Sequence, residues 1–285
     1  KAVSYRTFVN PFAAGLCEYM ALISSQGMSP SAKQLLINSL IQSPHTTYVG
    51  TVGGDYNLAA MFVARDLGGV SDFRDSLTAG AEGAAFECSI ATCLSVTFFQ
   101  PTFLGIPSGA PKSISYGAKT AVAELDDLDH QVLHALGASP ASSTAQLAKA
   151  LGVPASTITY RTQSLKDKGV LIGLGLSVVP FNDGFFPVAL QVCAGSMPKK
   201  VRDEFLQYCA TQPTVSYLIE AIGSWNFQVG ARLDDSRKVT ELSDGIQRRF
   251  APYVSRVTAI PVHEYLKLFP HPLVAPCARK ALRVA

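Results

Sequence analysis

YVGTVGGDYNLAAMFVA, residues 48–64, and YLIEAIGSWNFQVGARL, residues 217–233, are two versions of one pattern, and their match decides the architecture. Each reads as strand, glycine turn, strand. In the second version Phe227, Val229, Ala231 and Leu233 fall on one face. Gln228, Gly230, Arg232 and Asp234 fall on the other. In the first version Leu58 to Ala64 is apolar on both faces, which predicts a strand covered on both sides.

The same offset of 169 positions runs outward without a gap. Pro11-Phe12 falls on Pro180-Phe181, Gly15 on Gly184, Met28 on Met197, Pro44 on Pro213 and Asp66 on Asp235. Leu36 falls on Phe205, Phe73 on Leu242 and Leu77 on Ile246, so character persists where letters differ. The chain is therefore read as a tandem duplication. Copy one predicts strands at 16–24, 46–52, 57–65 and 86–99, with helices opening at Ser29-Pro30-Ser31 and at Ser71. Copy two predicts the same series at 184–194, 198–211, 214–222, 226–234, 236–250 and 254–268. A βαββαβ order is the ferredoxin-like arrangement, with helices on one face of an antiparallel sheet. The other face needs cover, and the two copies are expected to pair face to face, within one chain or swapped between two.

Between the copies the periodicity changes. Leu125, Leu128, Val132, Leu133 and Leu136 form the stripe of an amphipathic helix; Thr144 to Leu151 is a second. Gly152-Val153-Pro154 makes a turn, and Ser156-Thr157 opens a third helix that ends at Lys168-Gly169. This is the plan of a helix-turn-helix, whose last helix enters the DNA major groove. The expected class is α+β: two ferredoxin-like βαββαβ domains with a helix-turn-helix (winged-helix-like) domain between them. The expected divisions are 1–106 for copy one, 107–118 for a Pro/Gly/Ser linker and 119–173 for the helix-turn-helix. Copy two spans 174–270, and 271–285 is a tail.

The chain has 285 residues, 48% hydrophobic and 16% charged, with a net charge of +3. So low a charged fraction predicts surface covered by partner domains or subunits. The net charge alone does not announce nucleic acid. Six cysteines show no CxxC pair and no Cys/His cluster, which predicts reduced thiols, no metal and a cytoplasmic location. The longest apolar stretch, 91–106, is broken by Gln100-Pro101, and no signal peptide or membrane span is read.

From about 125 to 268 the chain resembles the Lrp/AsnC family of transcription regulators. The resemblance rests on Leu125-Asp-Asp-Leu-Asp-His-Gln-Val-Leu133, Gln146-Leu-Ala-Lys-Ala-Leu-Gly-Val153, Ser156-Thr-Ile-Thr-Tyr-Arg161 and Leu165-Lys-Asp-Lys-Gly-Val-Leu171. Gly223-Ser-Trp-Asn226 and Gly54-Asp-Tyr-Asn57 match the Gly-x-aromatic-Asp/Asn turn of the family's effector domain, so copy one resembles a second such domain. The resemblance implies a DNA-binding regulator, not an enzyme, that forms homo-oligomers, needs no cofactor and responds to a small effector such as an amino acid or related carboxylate. This chain departs from the family at Gln163-Ser164, where further basic residues are usual, and at Val257 and Ala259, where threonines often meet the effector. A twofold member would carry another helix-turn-helix before copy one, so Lys1 is expected to mark a truncated chain.

The residues expected to touch double-stranded DNA are Ser156, Thr157, Thr159, Tyr160, Arg161, Gln163 and Ser164. Arg161, three positions after Ile158, is also placed to face the first helix. From 119 to 168 five Lys/Arg meet five Asp/Glu, which predicts weak or conditional affinity. The candidate ligand residues are Gly53, Gly54, Asp55, Tyr56 and Asn57, with Gly223, Ser224, Trp225 and Asn226. Their glycines suit a hairpin turn as well as a carboxylate site. Two other readings stay open. One is a tetrapyrrole (siroheme-type) decarboxylase on the same fold, for which His45 before Tyr56-Asn57 is the pointer. The other is a ligand-sensing assembly protein without DNA binding.

Overall fold

In chain order the elements are β1 (Val3–Val9), a short 3-10 turn (Phe12–Ala14), β2 (Cys17–Ser24), α1 (Pro30–Gln42), β3 (Thr46–Val52), β4 (Leu58–Ala64), α2 (Leu67–Gly80) and β5 (Glu87–Phe98). There follow β6 (Ile114–Gly117), α3 (Asp127–Ala138), α4 (Thr144–Leu151), α5 (Ala155–Asp167) and β7 (Leu171–Val178). The chain then runs through β8 (Phe186–Ala194), α6 (Lys199–Thr211), β9 (Val215–Ile222), β10 (Phe227–Leu233), α7 (Arg237–Arg249) and β11 (Val254–Leu268). The computed structural model describes residues 3–81, 84–99, 113–178, 184–268 and 272–274. Pro180-Phe181 of the repeat, residues 107–112 of the expected linker and residues 275–285 of the expected tail lie outside the described residues.

Each copy folds as an antiparallel sheet with two helices on one face, because alternate strand residues are apolar and so are the helix stripes. In copy one Tyr19, Ala21, Ile23, Leu58, Ala60 and Phe62 meet Leu36, Leu40, Phe73 and Leu77. In copy two Val188, Leu190, Val192, Phe227, Val229 and Ala231 meet Phe205, Cys209, Leu242 and Ile246. Truncating one of the fully buried side chains to Ala, Leu36 or Leu58 for instance, would cost about 2–5 kcal/mol.

The faces turned away from the helices pack on each other. Met20, Leu22, Val52, Ala59, Ala91 and Val96 of copy one share a cluster with Ala189, Ile219, Ala221, Trp225, Ile260 and Val262 of copy two. The edges also bond: β5 pairs with β9, and β11 runs from β8 onto β3. Since β5 pairs with β2 as well, the order β2-β4-β3-β11-β8-β10-β9-β5 closes on itself. The pairing of copies is thus within one chain, and its form is an eight-stranded antiparallel barrel with the helices outside.

Three expectations are corrected. β1 is not among the expected strands; it joins neither copy's sheet but pairs with β7, the strand leaving the helix-turn-helix, so 174–178 is not part of copy two's sheet. The segment expected to be a linker contains β6, which pairs with the second half of β5. Finally, α2 starts at Leu67 rather than at Ser71, because the side chain of Asp66 accepts the Gly69 N–H and caps the helix four residues earlier.

Candidate nucleic-acid interface and ligand cavity

The three helices between the copies enclose a core of their own, built from Val132, Leu133, Leu136, Leu147, Ile158 and Leu165. A capping box, Asp126 with Asp129, starts α3, and another, Ser143 with Gln146, starts α4. Gly152 ends α4 in the left-handed region at φ 67°, where a residue without a Cβ is favoured. Pro154 precedes α5 without a side-chain cap; its carbonyl accepts the Thr157 and Ile158 N–H groups, and Ala155 and Ser156 stand exposed at the helix start. β1 and β7 form a two-stranded antiparallel ribbon, and β7 packs beside α5.

On α5, Ser156, Thr159, Tyr160 and Gln163 are exposed, and Thr157 and Ser164 are half-buried. Tyr160 is 69% exposed, a large ring held in solvent on a helix whose Ile158 and Leu165 are buried. Thr159 Oγ1 donates back to the Ala155 carbonyl, and Gln163 Nε2 donates to Asp167 Oδ1 at 2.8 Å. Arg161 points elsewhere. Its Nη1 pairs with Asp126 and with Asp129 Oδ1 at 3.2 Å, while Lys168 Nζ reaches Asp129 Oδ2 at 3.2 Å and the Glu124 carbonyl at 2.9 Å. The Asp129 N–H and the Arg161 guanidinium hold the Asp126 carboxyl below its ordinary range, and the Asp126 hydrogen bond raises Arg161 in turn. The expected outward base contact of Arg161 is therefore corrected: its side chain ties α5 to the start of α3.

The two glycine turns act chiefly as joints. Asn57 Oδ1 accepts from the Ser25 N–H and from Ser25 Oγ, and Asn226 Oδ1 accepts from the Ala194 N–H at 2.8 Å. Each asparagine so staples its hairpin to the end of the copy's first sheet strand. The Gly53 N–H donates to the Pro261 carbonyl, and a Cβ on Gly223 would stand 2.8 Å from Ala91 Cβ and 3.0 Å from Ala91 Cα. Each turn therefore docks on the other copy's long strand. Trp225 is buried inside the barrel and Tyr56 is half-buried there; Gly54, Asp55, Gly223 and Ser224 are exposed. Ser224 Oγ lies 3.2 Å from Ser89 Oγ of copy one.

A further site, absent from the sequence reading, lies inside the barrel. A cavity of about 90 Å³ is walled by apolar side chains such as Met20, Leu22, Val96 and Ile219 and by the rings of Tyr48, Phe98, Tyr217 and Tyr265. Its polar wall carries Arg6 of β1, Glu18 of β2, Tyr116 of β6 and Gln228 of β10. Tyr116 Oη donates to Glu18 Oε2 at 3.2 Å, and Gln228 Nε2 donates to Tyr217 Oη at 3.2 Å. The Arg6 guanidinium lies 4.7 Å from the centroid of Phe8. Burial pushes the Glu18 carboxyl up to about 7, against the opposing pull of Tyr116 and Arg6, and lowers Arg6 to about 9. The available signal is Glu18 itself, an acid in the otherwise apolar-and-aromatic run Cys17–Ser24.

Residues 125–172 match the family described as winged helix-turn-helix DNA-binding. This segment is a winged helix-turn-helix. An HTH-type transcriptional regulator of Pyrococcus furiosus, itself uncharacterized, is 32% identical over 79 residues, which cover 28% of this chain and 53% of that protein. The chain thus spans about half the length of the curated relative it matches. In this chain the winged helix-turn-helix segment is followed by a ferredoxin-like sheet domain. Among solved structures, that of the siroheme decarboxylase NirDL in co-complex with an iron-uroporphyrin III analogue is 11% identical, with a TM-score of 0.65 over 94% of this chain and 78% of that one. A second structure of NirDL is 13% identical, with a TM-score of 0.64 over 93% and 77%. At that identity the likeness is one of fold. No helix among the described residues is long and apolar enough to cross a membrane.

Proposed function

We propose that the chain is a sequence-specific DNA-binding transcriptional regulator, not an enzyme, whose winged helix-turn-helix is biased by a small molecule held in the paired sheet domains. The observation that carries this reading is α5: a helix anchored by Ile158 and Leu165 that offers Ser156, Thr159, Tyr160 and Gln163 to solvent beside the β1–β7 ribbon. Ser156 and Thr157 at the helix start suit phosphate oxygens; Tyr160, Gln163 and Ser164 suit base edges. A cytoplasmic location and assembly into homo-oligomers, which would bring several single helix-turn-helix units onto one operator, belong to the same reading.

The test is fluorescence anisotropy of the full chain on duplex DNA from upstream of its own gene, across a salt series. Tyr160→Ala with Gln163→Ala should weaken specific binding about tenfold or more, since a good hydrogen-bonded pair with a base edge is worth roughly 1–3 kcal/mol. Asp126→Asn should strengthen binding several-fold, because it removes a negative charge and one of the two acids holding Arg161. Absence of binding at every salt concentration would sink the regulator reading.

The likeness to NirDL over 94% of the chain favours a tetrapyrrole decarboxylase as the second reading. Two observations weigh against it. Among the described residues no histidine lines the cavity, and His45 is exposed outside it. A cavity of about 90 Å³ is also well below the roughly 300–1,000 Å³ of drug-sized ligand sites. Tight haem-type absorbance on mixing with an iron porphyrin would favour this second reading.

A further inference from the structure

The barrel cavity and the helix-turn-helix share one strand. Arg6, Thr7, Phe8 and Val9 of β1 all line the cavity. Thr7 Oγ1 also donates to the Leu136 carbonyl at the end of α3 at 2.7 Å, Val9 is buried in the helix-turn-helix core, and the Asn10 N–H bonds the Val170 carbonyl just after α5. β1 then pairs along its length with β7, the strand that leaves α5.

We propose that the cavity, beside the Glu18–Tyr116 pair, binds a neutral single-ring compound bearing one hydroxyl, a simple phenol, and that β1 passes its occupancy to the helix-turn-helix. The chemistry follows from the walls. Phe98, Tyr48, Tyr217 and Tyr265 present ring faces and edges to a planar guest, and Met20 and Met61 are flexible enough to adjust around it. An engineered apolar cavity of about 150 Å³ accepts benzene, so about 90 Å³ excludes anything larger than one ring, and one ring enters only if Met20 and Met61 shift to enlarge the space. The wall holds one acid and one guanidinium, so with both ionised it offers a charged guest no net charge to pair with. Glu18 is 3% exposed and bonded to Tyr116, and the cavity wall also carries Gln228 bonded to Tyr217, so the lining offers both donors and acceptors. A hydroxyl, which donates and accepts, can be satisfied there whichever protonation state Glu18 holds.

The binding half of this proposal stands alone; the coupling half rests on the regulator reading. The experiment is calorimetric titration of the full chain with phenol and, separately, with benzene, followed by DNA anisotropy at saturating phenol. One phenol per chain is expected, about tenfold tighter than benzene because of the hydroxyl's hydrogen bonds in a dry site. Ala189→Phe fills the cavity and should abolish both titrations. Glu18→Gln should weaken phenol several-fold and leave benzene unchanged, a pattern that a merely misfolded variant would not give. Phenol binding that survives Ala189→Phe in a folded variant, or no saturable phenol binding at all, overturns the site. With the site occupied, DNA affinity should move about fivefold or more in the native chain and not in Ala189→Phe. Phenol binding with unchanged DNA affinity overturns the coupling, whereas phenol binding by a chain that never binds DNA condemns the regulator reading and leaves the site standing.

Discussion

The two copies agree where they meet their own helices and differ where they meet each other. Toward the helices, Leu36, Leu40, Leu58, Ala60, Phe62 and Leu77 of copy one are matched by Phe205, Cys209, Phe227, Val229, Ala231 and Ile246 of copy two, all buried. Toward the barrel, Glu18 is matched by Pro187, Met20 by Ala189, Leu22 by Gln191, Met61 by Gly230 and Val63 by Arg232. At these equivalent positions one copy is large where the other is small, or polar where the other is apolar. A barrel of two identical halves must double every interior feature; two linked unlike halves can place a single acid, Glu18, without a counterpart in the other copy. The duplication kept the fold in both copies and let the shared interior specialise.

The largest effect expected from this comparison is at the matched turn glycines, Gly54 and Gly223. Gly54 sits at φ 93° with nothing within 4 Å of where a Cβ would be, whereas a Cβ on Gly223 would collide with the Ala91 backbone of β5. Gly54→Val should cost roughly 1–3 kcal/mol through backbone strain alone. Gly223→Val should cost more than that, on the order of 4 kcal/mol, because β5 must shift at the seam between copies. Urea unfolding monitored through the lone Trp225 measures both. Equal losses would show that the two turns are not used differently. The same contrast rules out Gly223→Val as a probe of ligand binding, since it would break the barrel first.

A middle-sized effect isolates the acid that copy two lacks. Glu18 has a folded value of about 7 against an ordinary 4.5, so the folded chain holds its proton more tightly than the unfolded chain. Its contribution is fully present below about pH 4.5 and is lost as pH rises to about 7. The loss is on the order of 3 kcal/mol. Asp126, Asp234 and Asp235 are held below 3.8 by their hydrogen-bond and charge partners, so they titrate outside this window. Glu18→Gln should flatten the fall in stability between pH 5 and 7.5. A native slope that survives the substitution would place the titrating group elsewhere.

The shared half of the comparison is legible in the sequence, and the divergent half is not. Period-two strands and helical stripes such as Leu36, Leu40 and Phe205 announce themselves within a dozen residues, so the strands and helices of both sheet domains can be read directly. The cavity's polar wall joins Arg6, Glu18, Tyr116 and Gln228 from strands far apart in the chain, and Arg6 and Tyr116 lie in segments that carry no strand signal of their own. The β1–β7 pair is likewise long-range, with no turn to signal it. On α5, spacing from Ile158 indicates that Arg161 can face α3, but only coordinates show Asp126 and Asp129 placed to receive it. The turn motif is visible in both copies, and its ambiguity between joint and ligand site is real: the stapled backbone groups lie 32 residues away, at the ends of β2 and β8.

The smallest expected effect compares the two staples. Asn57 and Asn226 hold equivalent positions, and each accepts the backbone N–H at the end of its copy's first sheet strand, Ser25 or Ala194. Ser25 adds its own hydroxyl, buried and bonded to Asn57 Oδ1 at 2.9 Å; Ala194 has none to give. Asn226→Ala should therefore cost about 1–2 kcal/mol, the loss of one partner for one partly buried amide. Asn57→Ala should cost about 1 kcal/mol more, because the Ser25 hydroxyl is stranded as well. Adding Ser25→Ala to Asn57→Ala should recover most of that difference, since a buried hydroxyl without a partner is worse than none. A double-mutant cycle between Ser25 and Asn57, with Asn226→Ala as reference, reads the coupling directly. If the cycle gives no coupling and the two asparagine variants are equally unstable, the hydroxyl contributes nothing, and copies one and two are equivalent at this joint despite the difference in sequence.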